Sequence, residues 1–296
     1  MSAPLPTLDE LPEAARPDPS CPLCRGSGIR ARPDQERAVA EACSCIPECR
    51  RCGGSGRVTV RADTGVQVGR CQCRRVPDRL SLFNHAAIPG RYAHADLVGS
   101  SAGFLQAEPN PGDAGKSAAF TSVMSWIKDF QPGRENRGFV LHGPVGTGKT
   151  HLLIAVLRDL ALSRGVRVRF IEFSRLLSTL RQGFESGRSG AGVMAQLVEV
   201  PVLGIDEIGK GRMTDWELSV IDELVSRRYN AMACTLGTSN FKPGAYTAAQ
   251  APVGAGSITP QTLGDRVGDR VYSRLKEMCD FVEVGGADFR KTAARS

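Results

Sequence analysis

The chain has 296 residues, 41% of them hydrophobic, and a formal net charge of +7. This is the composition of a globular protein with room for one large domain or two modest ones. No run of 18 apolar residues occurs, which excludes a transmembrane helix. The first 20 residues lack the charged and apolar regions of an export signal, so a cytoplasmic protein without membrane contact is expected. The basic excess fits a polyanionic partner, but solubility alone explains it equally well.

Residues 1–20 are Pro-rich and read as a flexible leader. Eight of the ten cysteines follow within residues 21–73. In a chain with no export signal this crowding points to metal rather than disulfides. The positions are Cys21, Cys24, Cys43 and Cys45, then Cys49, Cys52, Cys71 and Cys73. Adding 28 to each of the first four gives the last four, so one unit, Cys-x2-Cys-x18-Cys-x-Cys, is used twice. Four thiolates suit tetrahedral zinc and close its coordination shell, which makes the role structural. Two Zn2+ per chain are expected. In the second unit, "RVTV", "RADTG" and "VQVGR" read as strand, turn and strand. That hairpin would return Cys71 and Cys73 to Cys49 and Cys52. The first unit's hairpin is less legible. Tandem ligation, each unit closing its own site, is favoured by the repeat. The nested alternative joins Cys21 and Cys24 to Cys71 and Cys73, and Cys43 and Cys45 to Cys49 and Cys52. A metal-free or redox-active loop is the remaining reading. Docking of protein and docking of nucleic acid both fit this module, with protein preferred.

Residues 76–118 read as a linker and an approach to a second domain at 119–292, with a tail at 293–296. There "GFVLH" is a short buried strand and "HLLIAVLRDLALSRG" a helix stopping near Gly165. Between them stands the spacing of a phosphate-binding loop, Gly143-Pro144-Val145-Gly146-Thr147-Gly148-Lys149-Thr150 followed by His151. Its glycines turn amides inward, Lys149 would reach the β- and γ-phosphates of ATP, and Thr150 would ligate Mg2+. "LVEVPVLGIDEIG" reads as an apolar strand ending in Asp206, a candidate Mg2+ ligand, and Glu207, a candidate general base. "ACTLGTSNF" reads as a strand ending at Thr238-Ser239-Asn240, a polar tip that could orient water against the γ-phosphate. Arg266, Arg270 and Arg274 recur every four residues and are expected on one helix face. They are either a charge stripe or a source of an arginine for a neighbouring subunit's ATP. "FSRLLSTLRQGFESGRSG" should be an amphipathic helix whose Arg175, Arg181 and Arg188 either meet single-strand phosphates or form a solvated face. Residues 99–118 and 245–262 read as soft segments. Cys234 and Cys279 read as core thiols, His142 and His151 as packing or surface residues flanking the loop, with His151 counted among the ATP-binding residues, and Trp216 as packed on its helix.

Two resemblances follow from these motifs. The Cys-x2-Cys-x-Gly-x-Gly pieces resemble the zinc-binding repeats of DnaJ-type chaperones over about 50 residues. From about residue 80 to 292, "AAIPGRYAHADL", "LHGPVGTGKTHLLIAV", "LGIDEIG", "WELSVIDELVSRRYN", "LGTSNF" and "DRVYSRLKEMCDFVEVGGADFRK" resemble, in order, the AAA+ helicase loaders of the DnaC/DnaI type and their transposition relative IstB. The resemblance implies an α/β AAA+ P-loop domain with a parallel sheet, here preceded by a small zinc-binding β-hairpin module. It implies an ATPase that forms a ring or spiral, binds single-stranded DNA and meets a replicative helicase. It places the sensor at Asn240, the trans-acting arginine at Arg274, with Arg270 and Arg266 as alternatives, and a nucleotide sensor at Arg290. An IstB-like partner of a transposase and a zinc adaptor using ATP as a switch stand as alternatives. Two cysteine units, where loaders often carry one, weaken any transfer of a helicase-docking role.

Overall fold

A computed structural model describes residues 5–97, 114–185, 190–245 and 262–286. Most of the two soft segments, together with Arg188 and Arg290, lies outside the described residues.

Each cysteine unit folds as a knuckle and a hairpin. The first hairpin is β1 (Ile29–Asp34) with β2 (Arg37–Ala42). The second is β3 (Arg57–Ala62) with β4 (Gly65–Arg70). The first was hard to read because Pro33 and the charged Asp34–Arg37 stretch mask the strand pattern. Its chain reverses there, with Gln35 at φ 51°. The hairpins differ in surroundings. Ile29, Ala38 and Ala40 are buried in the same core as Phe83, Ile88 and much of the α/β domain. The β3–β4 hairpin has a small core of its own, where Val58 packs with Ala14, Cys49 and Cys71.

Helix α1 (Arg75–His85), not foreseen from the sequence, joins this module to the α/β domain. Pro77 is tolerated because the first turn of a helix needs no amide donor there. Asn84 on α1 accepts from the Ala40 amide at 2.7 Å and donates to the Ala40 carbonyl at 3.0 Å, tying the edge of β2.

The larger domain is a five-stranded parallel sheet in the order β6-β7-β8-β5-β9. Its strands are β5 (Gly138–His142), β6 (Val168–Glu172), β7 (Val202–Asp206), β8 (Cys234–Ser239) and β9 (Cys279–Glu283). β5, β7 and β8 are buried throughout, as expected of parallel strands covered on both faces. Helix α2 (Ala114–Asp129) precedes β5, and α3 (Lys149–Leu162), α4 (Phe173–Glu185), α5 (Ala191–Glu199) and α6 (Asp215–Asn230) lie between the strands in sequence. The apolar run before Asp206 is thus divided: Leu197–Glu199 ends α5, and only 202–206 is strand.

The expected single arginine helix is broken into α7 (Leu263–Val267) and α8 (Asp269–Met278). Gly268 stands between them at φ 80° and ψ 157°, a conformation open essentially to glycine alone. Arg266 therefore does not share a helix face with Arg270 and Arg274.

Candidate nucleotide site and cysteine clusters

The site lies at the carboxyl ends of the parallel strands, where open α/β sheets place ligands. Gly143, Gly146 and Gly148 have φ of 144°, 83° and 92°, so the loop curls in a way other residues resist. A Cβ at Gly143 would stand 2.4 Å from the Val284 carbonyl oxygen, so β9 closes the loop from behind. Lys149 is buried and donates to the Gly143 and Pro144 carbonyls at 2.8 and 2.6 Å. Thr147 also donates to Pro144, at 3.0 Å, while Val145 is exposed at the loop's tip. His151, on the first turn of α3, meets the Tyr92 ring edge-on with centroids 6.4 Å apart.

Asp206 is the hub. It is 3% exposed, and one of its oxygens accepts from Thr150 at 2.8 Å and from Thr238 at 2.6 Å. Burial pushes its carboxyl above the ordinary range, against the pull of the two hydroxyls. Three elements thus meet at one oxygen: the start of α3, the end of β7 and the end of β8. Glu207 follows at φ 60°. Its amide donates to the Thr238 hydroxyl at 2.9 Å, and its carboxylate is paired with Lys210. Of the polar tip Thr238-Ser239-Asn240, where the resemblance places the sensor at Asn240, it is Thr238 that is joined to Asp206. Asn240 is exposed just beyond β8. The signal for Thr238 was its place beside an acidic strand, but strand neighbours are not visible in a sequence.

The three arginines are held within their own chain. Arg266 donates through Nε to the Gly209 carbonyl at 2.9 Å and through Nη2 to Gly211, and its guanidinium lies 5.2 Å from the Phe241 ring. It clasps the loop that carries Glu207 and Lys210. Arg274 pairs with Asp222 on α6 at 3.0 Å, and the more exposed Arg270 approaches the same oxygen at 3.5 Å. Arg175 pairs with Glu36 and Arg181 with Glu217, each at 2.8 Å, and Arg181 also covers Trp216. Their expected contact with single-strand phosphates thus competes with intramolecular pairs. His142, Cys234 and Cys279 are buried in the domain.

The cysteines form two clusters, Cys21/Cys24/Cys43/Cys45 and Cys49/Cys52/Cys71/Cys73, with the sulfurs of each within 4.8 Å of one another. This is the tandem grouping; the nested one is not found. Cys21–Cys43, Cys24–Cys45, Cys49–Cys71 and Cys52–Cys73 sulfur separations are 3.8, 3.5, 3.7 and 3.4 Å. Sulfurs about 2.3 Å from one zinc in a tetrahedron stand about 3.8 Å apart, so each cluster fits that ion. The Gly28 and Gly56 amides point at Cys24 and Cys52 sulfurs at 3.3 Å, as befits thiolates. A cleft of about 1060 Å³ lies elsewhere, between the first knuckle and Ala155, Arg158 and Leu162 of α3.

The sequence profile of the "IstB-like ATP binding protein" family matches residues 119–296, the whole sheet domain. The chain belongs to this family. The chain is 28% identical to the replicative helicase loader DnaC of Escherichia coli K12 over 53% of its length and 58% of the relative's. It is 29% identical to the helicase loader DnaI of Bacillus subtilis, over 60% of this chain and 55% of that one. An ATP-binding protein of insertion sequence IS21 from Pseudomonas aeruginosa is 41% identical over 40% of this chain and 51% of its own. The chain spans about half the length of the curated relatives it matches. A crystal structure of the DnaC helicase loader superposes with a TM-score of 0.52 at 24% identity, over 66% of this chain and 98% of that one, which is a likeness of fold.

Proposed function

We propose that this IstB-like protein is an ATP-hydrolysing AAA+ assembly factor that acts on a replicative helicase in the presence of single-stranded DNA. The observation that supports hydrolysis is the shared Asp206 oxygen, which links the P-loop threonine to the acidic strand and the sensor strand. The backbone N–H groups of residues 145–150 would bind the phosphates of ATP. Lys149 would exchange its loop carbonyls for phosphate oxygens. Thr150 and Asp206 would hold Mg2+, which when bound neutralises phosphate charge. Glu207 would accept the proton of the attacking water, with Asn240 orienting that water and Arg274 or Arg270 of a neighbouring subunit meeting the transferred charge. The two cysteine clusters would each hold a structural zinc, and elemental analysis should return two per chain.

ATP turnover is the test. Wild type should hydrolyse ATP, faster with single-stranded DNA, while Lys149→Ala and Glu207→Gln should fall at least 100-fold, with Glu207→Gln still binding nucleotide. Equal turnover in all three would rule out this site as the source of activity. A second reading, a transposase as the partner, is favoured by the IS21 relative, which has the highest identity of the three relatives named above. Pull-down with Glu207→Gln, which should retain the ATP-bound assembly, separates the two: recovery of a transposase and no helicase would displace the first reading.

A further inference from the structure

The 28-residue offset between the cysteine units gives every residue of the second hairpin a counterpart in the first. One face of β1–β2 carries Ile29, Ala31 and Pro33 opposite Ala42, Ala40 and Ala38. Ile46 lies over Gly28 at its end, 3.1 Å from where a Cβ would stand. This face is an internal docking surface. Ile29, Ala38 and Ala40 are buried against the ATPase core, and the Ala38 and Ala40 amides donate to the Ile88 carbonyl and to Asn84.

The equivalent face of β3–β4 carries Arg57, Thr59 and Arg61 opposite Arg70, Val68 and Val66. Arg74 lies over Gly56 as Ile46 lies over Gly28, with its Cδ 2.3 Å from the position of a Cβ. Thus Ile29, Pro33, Ala42 and Ile46 correspond to Arg57, Arg61, Arg70 and Arg74. Every residue of β4 is exposed, Val66 and Val68 at 65% and 64%. Arg57, Arg70 and Arg74 line a recess with Ser55 and Gly56, and Asp78 pairs with Arg70 and Arg74 at 2.8 and 3.5 Å. On the opposite face the β3 half is already covered, Val58 and Val60 being buried with Ala14 packed on Val58, and along the outer edge of β3 the Arg61 amide donates to the Pro6 carbonyl.

We propose that the open face of β3–β4 is a binding ribbon for duplex DNA, independent of the ATP site. A two-stranded ribbon fits the major groove, which is about 12 Å wide. Guanidinium groups take phosphates and guanine edges, the Thr59 hydroxyl takes either donor or acceptor, and the valine methyls suit thymine methyls. The face carries no aromatic ring, so it lacks the stacking platform by which proteins hold single strands. The chain's net charge of +7 favours encounter with a polyanion.

The experiment uses the full-length, zinc-loaded chain and fluorescence anisotropy with a duplex of about 30 base pairs, an oligo-dT of the same length, and polyglutamate as an acidic polypeptide. Arg57→Ala/Arg61→Ala/Arg70→Ala should weaken duplex binding at least 10-fold and flatten the slope of log affinity against log salt by about 3, for three lost phosphate contacts. Retained zinc and retained ATP turnover would show that this variant is folded. Arg61→Glu, at the hairpin tip away from the cysteines, should alone weaken the duplex about 10-fold. Arg30→Ala/Arg32→Ala, on the other face of the first hairpin, should leave binding unchanged. Wild-type duplex affinity and salt slope in the arginine variants would overturn the proposal. So would a loss on oligo-dT equal to that on duplex, or a loss confined to polyglutamate.

Discussion

Asp206 shows how a residue's environment trades stability for chemistry. Its folded pKa lies above the ordinary value of 3.8, chiefly through burial. A raised folded pKa means the carboxyl contributes stability below its unfolded pKa and loses it as pH rises through the folded one. Ionising this carboxyl as pH rises therefore costs folding stability. Asp206→Asn keeps an oxygen for Thr150 and Thr238 and should raise Tm at pH 7, with the gain vanishing toward pH 4, while ATP turnover is lost; a melting series across pH checks it. Arg228 is a different case. Its side chain is fully buried and donates to Thr235 at 2.9 Å and to the Leu197 and Val200 carbonyls at 2.7 and 3.0 Å. Burial lowers its pKa to about 10, still protonated at neutral pH. Carbonyls that α5 and its C-terminal turn leave open are thereby satisfied. Arg228→Met should cost at least about 3 kcal/mol, since each orphaned buried acceptor costs about 1–3 kcal/mol. A shift in the urea midpoint measures it.

At the level of elements, the break at Gly268 decides what its neighbouring arginines can reach. No atom lies within 4 Å of a Cβ built there, so Gly268→Ala meets no steric wall. Its cost, about 1–3 kcal/mol, should come from backbone conformation alone and be read as a drop in Tm. The break also separates two roles. Arg266 clasps the Glu207 loop of its own chain, whereas Arg270 and Arg274 sit on α8 against Asp222. If Arg274 serves a neighbour's ATP, mixing Arg274→Ala with Lys149→Ala subunits should restore part of the turnover that neither has alone, because an intact pocket then meets an intact arginine. The corresponding mixture with Arg266→Ala should stay inactive, since that defect lies within the pocket's own chain. Turnover of the two mixtures, measured against each variant alone, distinguishes the roles.

Across the whole molecule, the duplicated cysteine unit has the hairpin of one copy packed into the core of the α/β domain and that of the other outside it. The first hairpin shares its core with Phe83, Ile88 and α3, so a metal held by its four cysteines would brace a hairpin that is packed on the large domain. The second has a separate small core. Cys21→Ser/Cys24→Ser should therefore lower the Tm of the ATPase by several degrees and reduce ATP turnover, while Cys49→Ser/Cys52→Ser should leave both near wild type. Each pair should remove one zinc per chain. Equal effects on the ATPase would contradict the asymmetry.

By itself the sequence determined the chemistry-bearing spacings: the 28-residue cysteine repeat, the P-loop between strand and helix, and the acidic pair at a strand end. These are local, because a tight turn, a helix start or a knuckle is fixed by a few consecutive residues. The tertiary structure decided what depends on residues far apart in the chain. It brought Thr238 to Asp206 across parallel strands, set Arg266 on the Glu207 loop, and hid one cysteine hairpin while leaving its twin open. Parallel pairing and hairpin docking join segments separated by dozens of residues, and no local pattern records which partner a buried strand or an alanine face will meet.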